Sequence, residues 1–332
     1  MMKAAVLEGI NQKFVIKEVP KPTLIQSEVL VKIKAAALNH RDNWITKGKY
    51  AGLKFPIILG SDGSGIVEKV FDKENQHLVG QEVVINPGTN WGDNESFQST
   101  DFKILGLPED GTFAEYVKVN AENVYPKPNH LSFAEAAAFP LAGLTSYRAL
   151  FSKARATKKD TVLIVGVGGG SATFALLWAI NLGADVYVTS SSDEKIQKAI
   201  KLGAKGGVNY TKQDWDSDLK ELSGGIDVII DSAIGDGFAK HFSYINAGGR
   251  IVFFGATAGD LPPLNARAIF WKQIQIIGTT MGTSKDFEEM LTFINSNKIV
   301  PIIDQTFSLN DIDKAIQRMD AFNQFGKIIL TL

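Results

Sequence analysis

Chemistry in this chain is most legible at Gly166-Val167-Gly168-Gly169-Gly170-Ser171-Ala172, which follows the apolar run Thr161 to Val165 and precedes the apolar run Thr173 to Leu182. A strand, a glycine turn and a helix in that order bring bare backbone to the start of a helix. Unpaired N–H groups and the helix dipole favour a pyrophosphate there. The fit to G-x-G-x-x-G is imperfect. Read from Val167, the first glycine is replaced and Ala172 takes the third position, where close packing of helix on strand is the only demand. The next strand ends Val188-Thr189-Ser190-Ser191-Ser192. An NAD site usually carries an acid near this point for the ribose 2′-hydroxyl, and a 2′-phosphate would be repelled by one. Ser190 and Ser191 supply donors and Lys195 a positive charge, as a phosphate requires. Asp193 and Glu194 argue the other way, unless they form the acidic first turn of a helix capped by Ser192. Tyr210 ends the following strand and belongs to the same edge. The expected cofactor is NADPH.

Other chemistries are excluded by what is missing. Cysteine is absent, which removes disulfides, thiol nucleophiles, Fe–S clusters and thiolate zinc sites. The four histidines, His40, His77, His130 and His241, are too dispersed for a local ligand motif, so no metal is expected. Lys+Arg 35 against Asp+Glu 36 leaves a net charge of −1, which argues against a nucleic-acid footprint or a polybasic membrane surface. The amino terminus lacks the pattern of a signal peptide, and no run has the length of a membrane span. A cytoplasmic protein is expected.

The elements that must position these residues come in two rhythms. With 332 residues, of which 45% are hydrophobic, two domains are expected. The first third has short β-type runs broken by Gly and Pro: Val29 to Ile33, Gly65 to Val70, Glu82 to Ile85 and Ala114 to Val119. Residues 86–111 read as a polar excursion over the surface. From about Phe133 apolar strands alternate with helices through Gln273 to Gly278, the pattern of a doubly wound parallel sheet. Helices at Lys285 to Asn295 and Leu309 to Phe322 and a last strand, Lys327 to Leu332, are expected to complete the first domain.

In the order and spacing of several motifs the chain resembles the medium-chain dehydrogenase/reductase superfamily, and within it the zinc-independent quinone oxidoreductase-like branch. The motifs are Ala35-Ala36-Ala37-Leu38-Asn39-His40-Arg41-Asp42, Leu59 to Val67, Gly111 to Tyr116, Leu141 to Tyr147, the glycine loop, Gly248-Gly249-Arg250 with Phe254-Gly255, and Gly326-Lys327-Ile328. The resemblance implies an α/β protein with a GroES-like β-barrel catalytic domain, residues 1–125 completed by 284–332, and a Rossmann NADP-binding domain, residues 126–283. The active site would lie in the cleft between them.

By the same resemblance Gly168, Gly169 and Gly170 line the pyrophosphate, and Ser191 stands where NAD-using relatives carry an acid. Lys195 and Tyr210 match 2′-phosphate positions. Thr145 lies near the nicotinamide, with Phe254, Gly255, Thr280 and Met281 along its carboxamide side. His40 and Lys327 lie near the cofactor phosphates. Asn39 and Tyr50 match groups facing the substrate. Zinc-type relatives place metal ligands where this chain has Asn39, Ser61-Asp62 and the Leu141-Ala142 region, and Asp62 alone cannot hold zinc. The lobe that holds a structural zinc in relatives corresponds to residues 86–111, where Trp91, Phe97 and Phe102 are expected to pack instead.

Without a Lewis acid, acceptors that delocalise incoming charge are favoured. The expected activity is reduction of quinones or α,β-unsaturated carbonyls by hydride transfer from NADPH. The alternatives are a 2-enoyl thioester reductase and a low-turnover NADPH-binding sensor or structural protein. A homodimer is expected by analogy with the family.

Overall fold

Glu28–Ala37 is the organising strand of the first third: its aliphatic residues and the run Ala35 to Ala37 are buried, while Lys32 keeps its side chain exposed. In a computed structural model that describes all 332 residues, it pairs antiparallel with Asp62–Val70, Tyr116–Asn120 and Lys327–Thr331. Around it forms a seven-stranded sheet, and a separate three-stranded sheet joins Met2–Leu7 to Phe14–Val19 and Ile57–Ile58. Leu7, Ala36, Leu38, Ile45, Leu59, Val67, Ile85 and Phe113 fill the core of this part. The expected strands are present here. The amino-terminal hairpin of Met2–Leu7 and Phe14–Val19 is an addition to the sequence reading.

The second rhythm folds as a six-stranded parallel sheet in the order Gly206–Asn209, Asp185–Ser190, Thr161–Ile164, Ile226–Asp231, Ile245–Phe253 and Gln275–Gly278. That is the doubly wound order in which strand direction of succession reverses beside the first strand. Gly170–Leu182 is apolar nearly all round and correspondingly buried. It stops at Gly183, whose φ of +84° suits a residue without a Cβ. Asp193–Leu202 begins on Ser192, whose side chain accepts the N–H of Lys195 at 3.3 Å, so the acids at 193 and 194 do sit in a capped first turn.

The chain divides into two compact units, Met1–Ala142 with Gly282–Leu332, and Gly143–Met281. The first unit extends beyond residue 125, where the sequence reading drew its limit. Phe133–Ala138, a helix opened by the Ser132 and Glu135 capping box, packs on Glu28–Ala37 and Asp62–Val70. The carboxyl-terminal elements, from Gly282 onward, belong to the first unit. The long helix expected from Leu309 is instead a short turn, Leu309–Asp311, followed by Ile312–Asp320. No helix is long and apolar enough to cross a membrane.

In the 86–111 excursion a small ladder pairs Gly88–Thr89 with Lys103–Ile104. Trp91 packs edge-on against Phe102 with ring centroids 5.2 Å apart. Phe97 departs from expectation: it is 61% exposed rather than packed, since the polar stretch around it offers no apolar surface.

Candidate functional site

The first unit brings Asn39, Asp62 and Lys327 into one buried cluster. Register does this: the last strand pairs Ile329 with Ala37, and the N–H of Leu38 donates to the carbonyl of Ile328 at 3.0 Å. Lys327 therefore emerges beside Asn39. Its Nζ donates to Asn39 Oδ1 at 2.7 Å and to Asp62 Oδ2 at 3.0 Å. Asn39 Nδ2 donates to Asp62 Oδ2 at 2.9 Å, and the backbone N–H of Leu141 donates to Asp62 Oδ1 at 2.8 Å. Lys327 is thus turned onto protein partners, a different engagement from the phosphate contact its motif implies.

Arg41, the second residue of the helix His40–Thr46, forms the adjoining layer. Nη1 donates to Ser61 Oγ at 2.7 Å and to the carbonyl of Leu105 at 2.8 Å. Nε donates to the hydroxyl of Tyr50 at 3.4 Å, so the phenolic proton is left to point elsewhere. Sequence reasoning had not singled out Arg41. Its buried guanidinium ties Tyr50, the Ser61-Asp62 pair and the 86–111 lobe to one anchor.

His40 and Asp42 have unusual proton affinities for related reasons. Burial, followed by the charge of Lys327, lowers the His40 imidazole to about 4, so it is neutral at pH 7. The ring stacks on Phe322 at 5.7 Å, and its Nδ1 is buried without a hydrogen-bond partner. Burial lifts the Asp42 carboxyl to about 6, against the opposing pull of Arg41 and of the Asn39 N–H that reaches Asp42 Oδ2 at 2.8 Å.

At or just beyond the carboxyl ends of its strands, where open α/β sheets bind ligands, the second unit carries the glycine loop, Ser190, Tyr210, Phe254-Gly255 and Thr280-Met281; Lys195 lies in the first turn of a helix, and His40 and Lys327 belong to the first unit. A Cβ on Gly166 or Gly169 would meet no atom within 4 Å, so both backbones face open space. Gly169 caps the helix Gly170–Leu182 and has no side chain that could claim its first N–H groups. This geometry fits a dinucleotide pyrophosphate. Gly168, at φ +139°, requires a residue without a Cβ.

Ser190 Oγ donates to the carbonyl of Val167 at 3.3 Å, and the N–H of Tyr210 donates to the carbonyl of Ser190 at 3.1 Å. The loop and the Ser190, Ser191 and Tyr210 edge are thereby joined. Thr145 Oγ1 donates to Met281 Sδ at 3.8 Å, while Phe254-Gly255 and Thr280-Met281 follow neighbouring parallel strands. Asp193 proves to be occupied: Asn209 Nδ2 and Lys212 Nζ donate to its two oxygens at 3.0 and 3.1 Å.

Two family models match, the zinc-binding dehydrogenase model over residues 166–296 and the alcohol dehydrogenase GroES-like domain over residues 25–129. A zinc-type alcohol dehydrogenase-like protein of Leptosphaeria maculans is 35% identical, across 95% of this chain and 93% of its own. The chain belongs to the medium-chain dehydrogenase/reductase superfamily. An acryloyl-coenzyme A reductase of Sulfurisphaera tokodaii shares 30% identity over 99% of each chain. A crystal structure of an NAD-dependent alcohol dehydrogenase matches with a TM-score of 0.92 and 34% identity, each chain covered in full.

As a medium-chain dehydrogenase/reductase the protein is an oxidoreductase that works with a nicotinamide cofactor. The zinc that gives part of this superfamily its name does not fit the residues present. Asp62 has both oxygens engaged, Leu141 contributes only a backbone N–H, and the nearest cation-sized group is the Lys327 ammonium. No three His, Cys, Asp or Glu side chains anywhere in the chain converge as metal ligands.

Proposed function

We propose that the protein is a zinc-independent, NADPH-dependent reductase of quinones or α,β-unsaturated carbonyls, in the quinone oxidoreductase-like branch of its superfamily. The observation that carries this reading is the cluster of Asn39, Asp62 and Lys327, which puts hydrogen-bond donors where zinc-type relatives have metal ligands. When bound, NADPH supplies a hydride to an electron-poor carbon of the acceptor, and the electron pair displaced from the conjugated system collects on the acceptor oxygen.

Asn39 Nδ2 and the Tyr50 hydroxyl are the donors assigned to that oxygen, and preorganised donors act where the charge develops. Thr145, in the second unit, is the residue assigned to the nicotinamide. Tyr50 or water returns the proton that completes the reduction. Conjugated acceptors need no Lewis acid because the product anion is delocalised.

Preference for NADPH is supported by the bonds of Asp193 with Asn209 and Lys212, beside which Ser191 and Tyr210 offer hydroxyls at the same sheet edge. A homodimer is supported by the sheet edge Gln275–Gly278 and by Phe270 and Trp271 on the preceding helix, 64% and 82% exposed. The likeness to an acryloyl-coenzyme A reductase favours a second reading, reduction of a 2-enoyl thioester.

The test is NADPH oxidation measured with a panel of quinones, alkenals and enoyl thioesters. Turnover confined to thioesters would replace the first reading by the second. Silence across the panel from a folded, NADPH-binding protein would overturn both and leave the low-turnover binding protein.

A further inference from the structure

We infer that Lys327 and Asp62 are positioning residues that fix the side-chain amide of Asn39, so that its free Nδ2–H is aimed by the protein before any acceptor arrives. This inference rests on the reading of Asn39 as a substrate donor and adds what holds it.

An asparagine amide is nearly symmetric in shape, and only its partners decide which end is oxygen and which is nitrogen. Here the partners are unambiguous. The ammonium of Lys327 has donors and no acceptor, so the group 2.7 Å from it must be Oδ1. The oxygen of Asp62, 2.9 Å from the other end, accepts from Nδ2. One Nδ2–H is committed to Asp62, and the second remains for a ligand.

Asp62 is itself immobilised, since its other oxygen takes the Leu141 N–H. The pair is also electrically closed: the ammonium and carboxylate lie 3.0 Å apart with side chains 3% and 0% exposed. Buried ion pairs of this kind are weak stabilisers but strong constraints when complete. The sequence places Lys327 288 residues from Asn39, and only the pairing of the last strand joins them.

The experiment compares Lys327→Met, Lys327→Met with Asp62→Asn, Asn39→Leu, and Lys327→Met with Asn39→Leu. It measures kcat and KM at saturating NADPH, the Kd for NADPH by fluorescence, and the side-chain amide resonances of Asn39. Lys327→Met is expected to lower kcat by about 10- to 100-fold, less than the roughly 100- to 1000-fold that follows outright removal of a positioned donor, with the NADPH Kd changed less than about twofold. The Asn39 amide resonances should shift, and adding Lys327→Met to Asn39→Leu should cost little more, because the two act as one unit.

If Lys327→Met alone does not fold, the neutral pair with Asp62→Asn carries the same test without an unpaired buried charge. A Kd for NADPH weakened tenfold or more with unchanged kcat would overturn the inference and make Lys327 a phosphate ligand. Full kcat in Lys327→Met beside a damaged Asn39→Leu would overturn the inference alone. Full kcat in Asn39→Leu would overturn the substrate-donor reading beneath it.

Discussion

Lys212 Nζ lies 3.1 Å from one oxygen of Asp193, and Asn209 Nδ2 lies 3.0 Å from the other. The acid nearest the adenosine end of the expected cofactor is therefore engaged by its own neighbours, and those contacts hold its carboxyl below the usual carboxylate range. The prediction is that Ser191→Asp weakens NADPH binding by about tenfold or more while improving NADH, since a carboxylate repels a 2′-phosphate and accepts from a 2′-hydroxyl. Fluorescence titration with both nucleotides decides it, and equal affinities before and after the change would refute it.

Gly169 and Gly60 should respond in opposite ways to alanine. At Gly169, with φ −69° and open space around a Cβ, alanine should cost less than about 1 kcal/mol of stability. It should nevertheless weaken NADPH binding about tenfold by holding the pyrophosphate off the helix start. At Gly60, φ is +99° and a Cβ would stand 2.5 Å from both the Phe113 ring and Thr112 Oγ1. There, alanine should cost about 2 kcal/mol or more. Denaturant midpoints and nucleotide titration on both variants separate the two cases.

Arg41→Ala is predicted to lower stability by about 2–4 kcal/mol, because Ser61 Oγ and the Leu105 carbonyl lose a shared buried donor. Limited proteolysis should find new cleavage within residues 86–111, the lobe this guanidinium holds. Arg41→Lys should recover only part of the loss, as an ammonium cannot reproduce the planar fork. An unchanged urea midpoint in the alanine variant would contradict the anchoring role.

His40 and Asp42 should oppose each other in acid. The folded His40 sits near 4 against an ordinary 6.5, so its contribution is intact above 6.5 and is lost as pH falls towards 4. Asp42 sits near 6 against 3.8, so its contribution is greatest below 3.8 and is lost as pH rises through 6. Over the shared window the two slopes partly cancel. Thermal midpoints from pH 4 to 7 should fall more steeply with acid in Asp42→Asn than in the unchanged protein, and less steeply in His40→Asn. Parallel curves for all three would refute the assignment.

How much of this was legible beforehand varies with the range of the interaction. The strand, glycine loop and helix at 161–182 were readable because each signal lies within a few residues of the next, and the Ser192 cap was readable for the same reason. The turn at Leu309–Asp311 was not, since helical periodicity runs through it and only packing decides where the helix begins. Phe97 is exposed because an aromatic residue is buried only where a neighbour supplies apolar surface.

The sequence by itself determined the two rhythms, the nucleotide loop and the lack of thiolate ligands, all of which are properties of composition and short spacing. Tertiary structure alone decided that Lys327 meets Asn39 and Asp62, that Arg41 holds Ser61 and the lobe, and that Lys212 takes up Asp193. Each of these depends on strand register or loop placement. Such choices are settled by competition among all the elements for one core, and no local stretch of residues records the outcome.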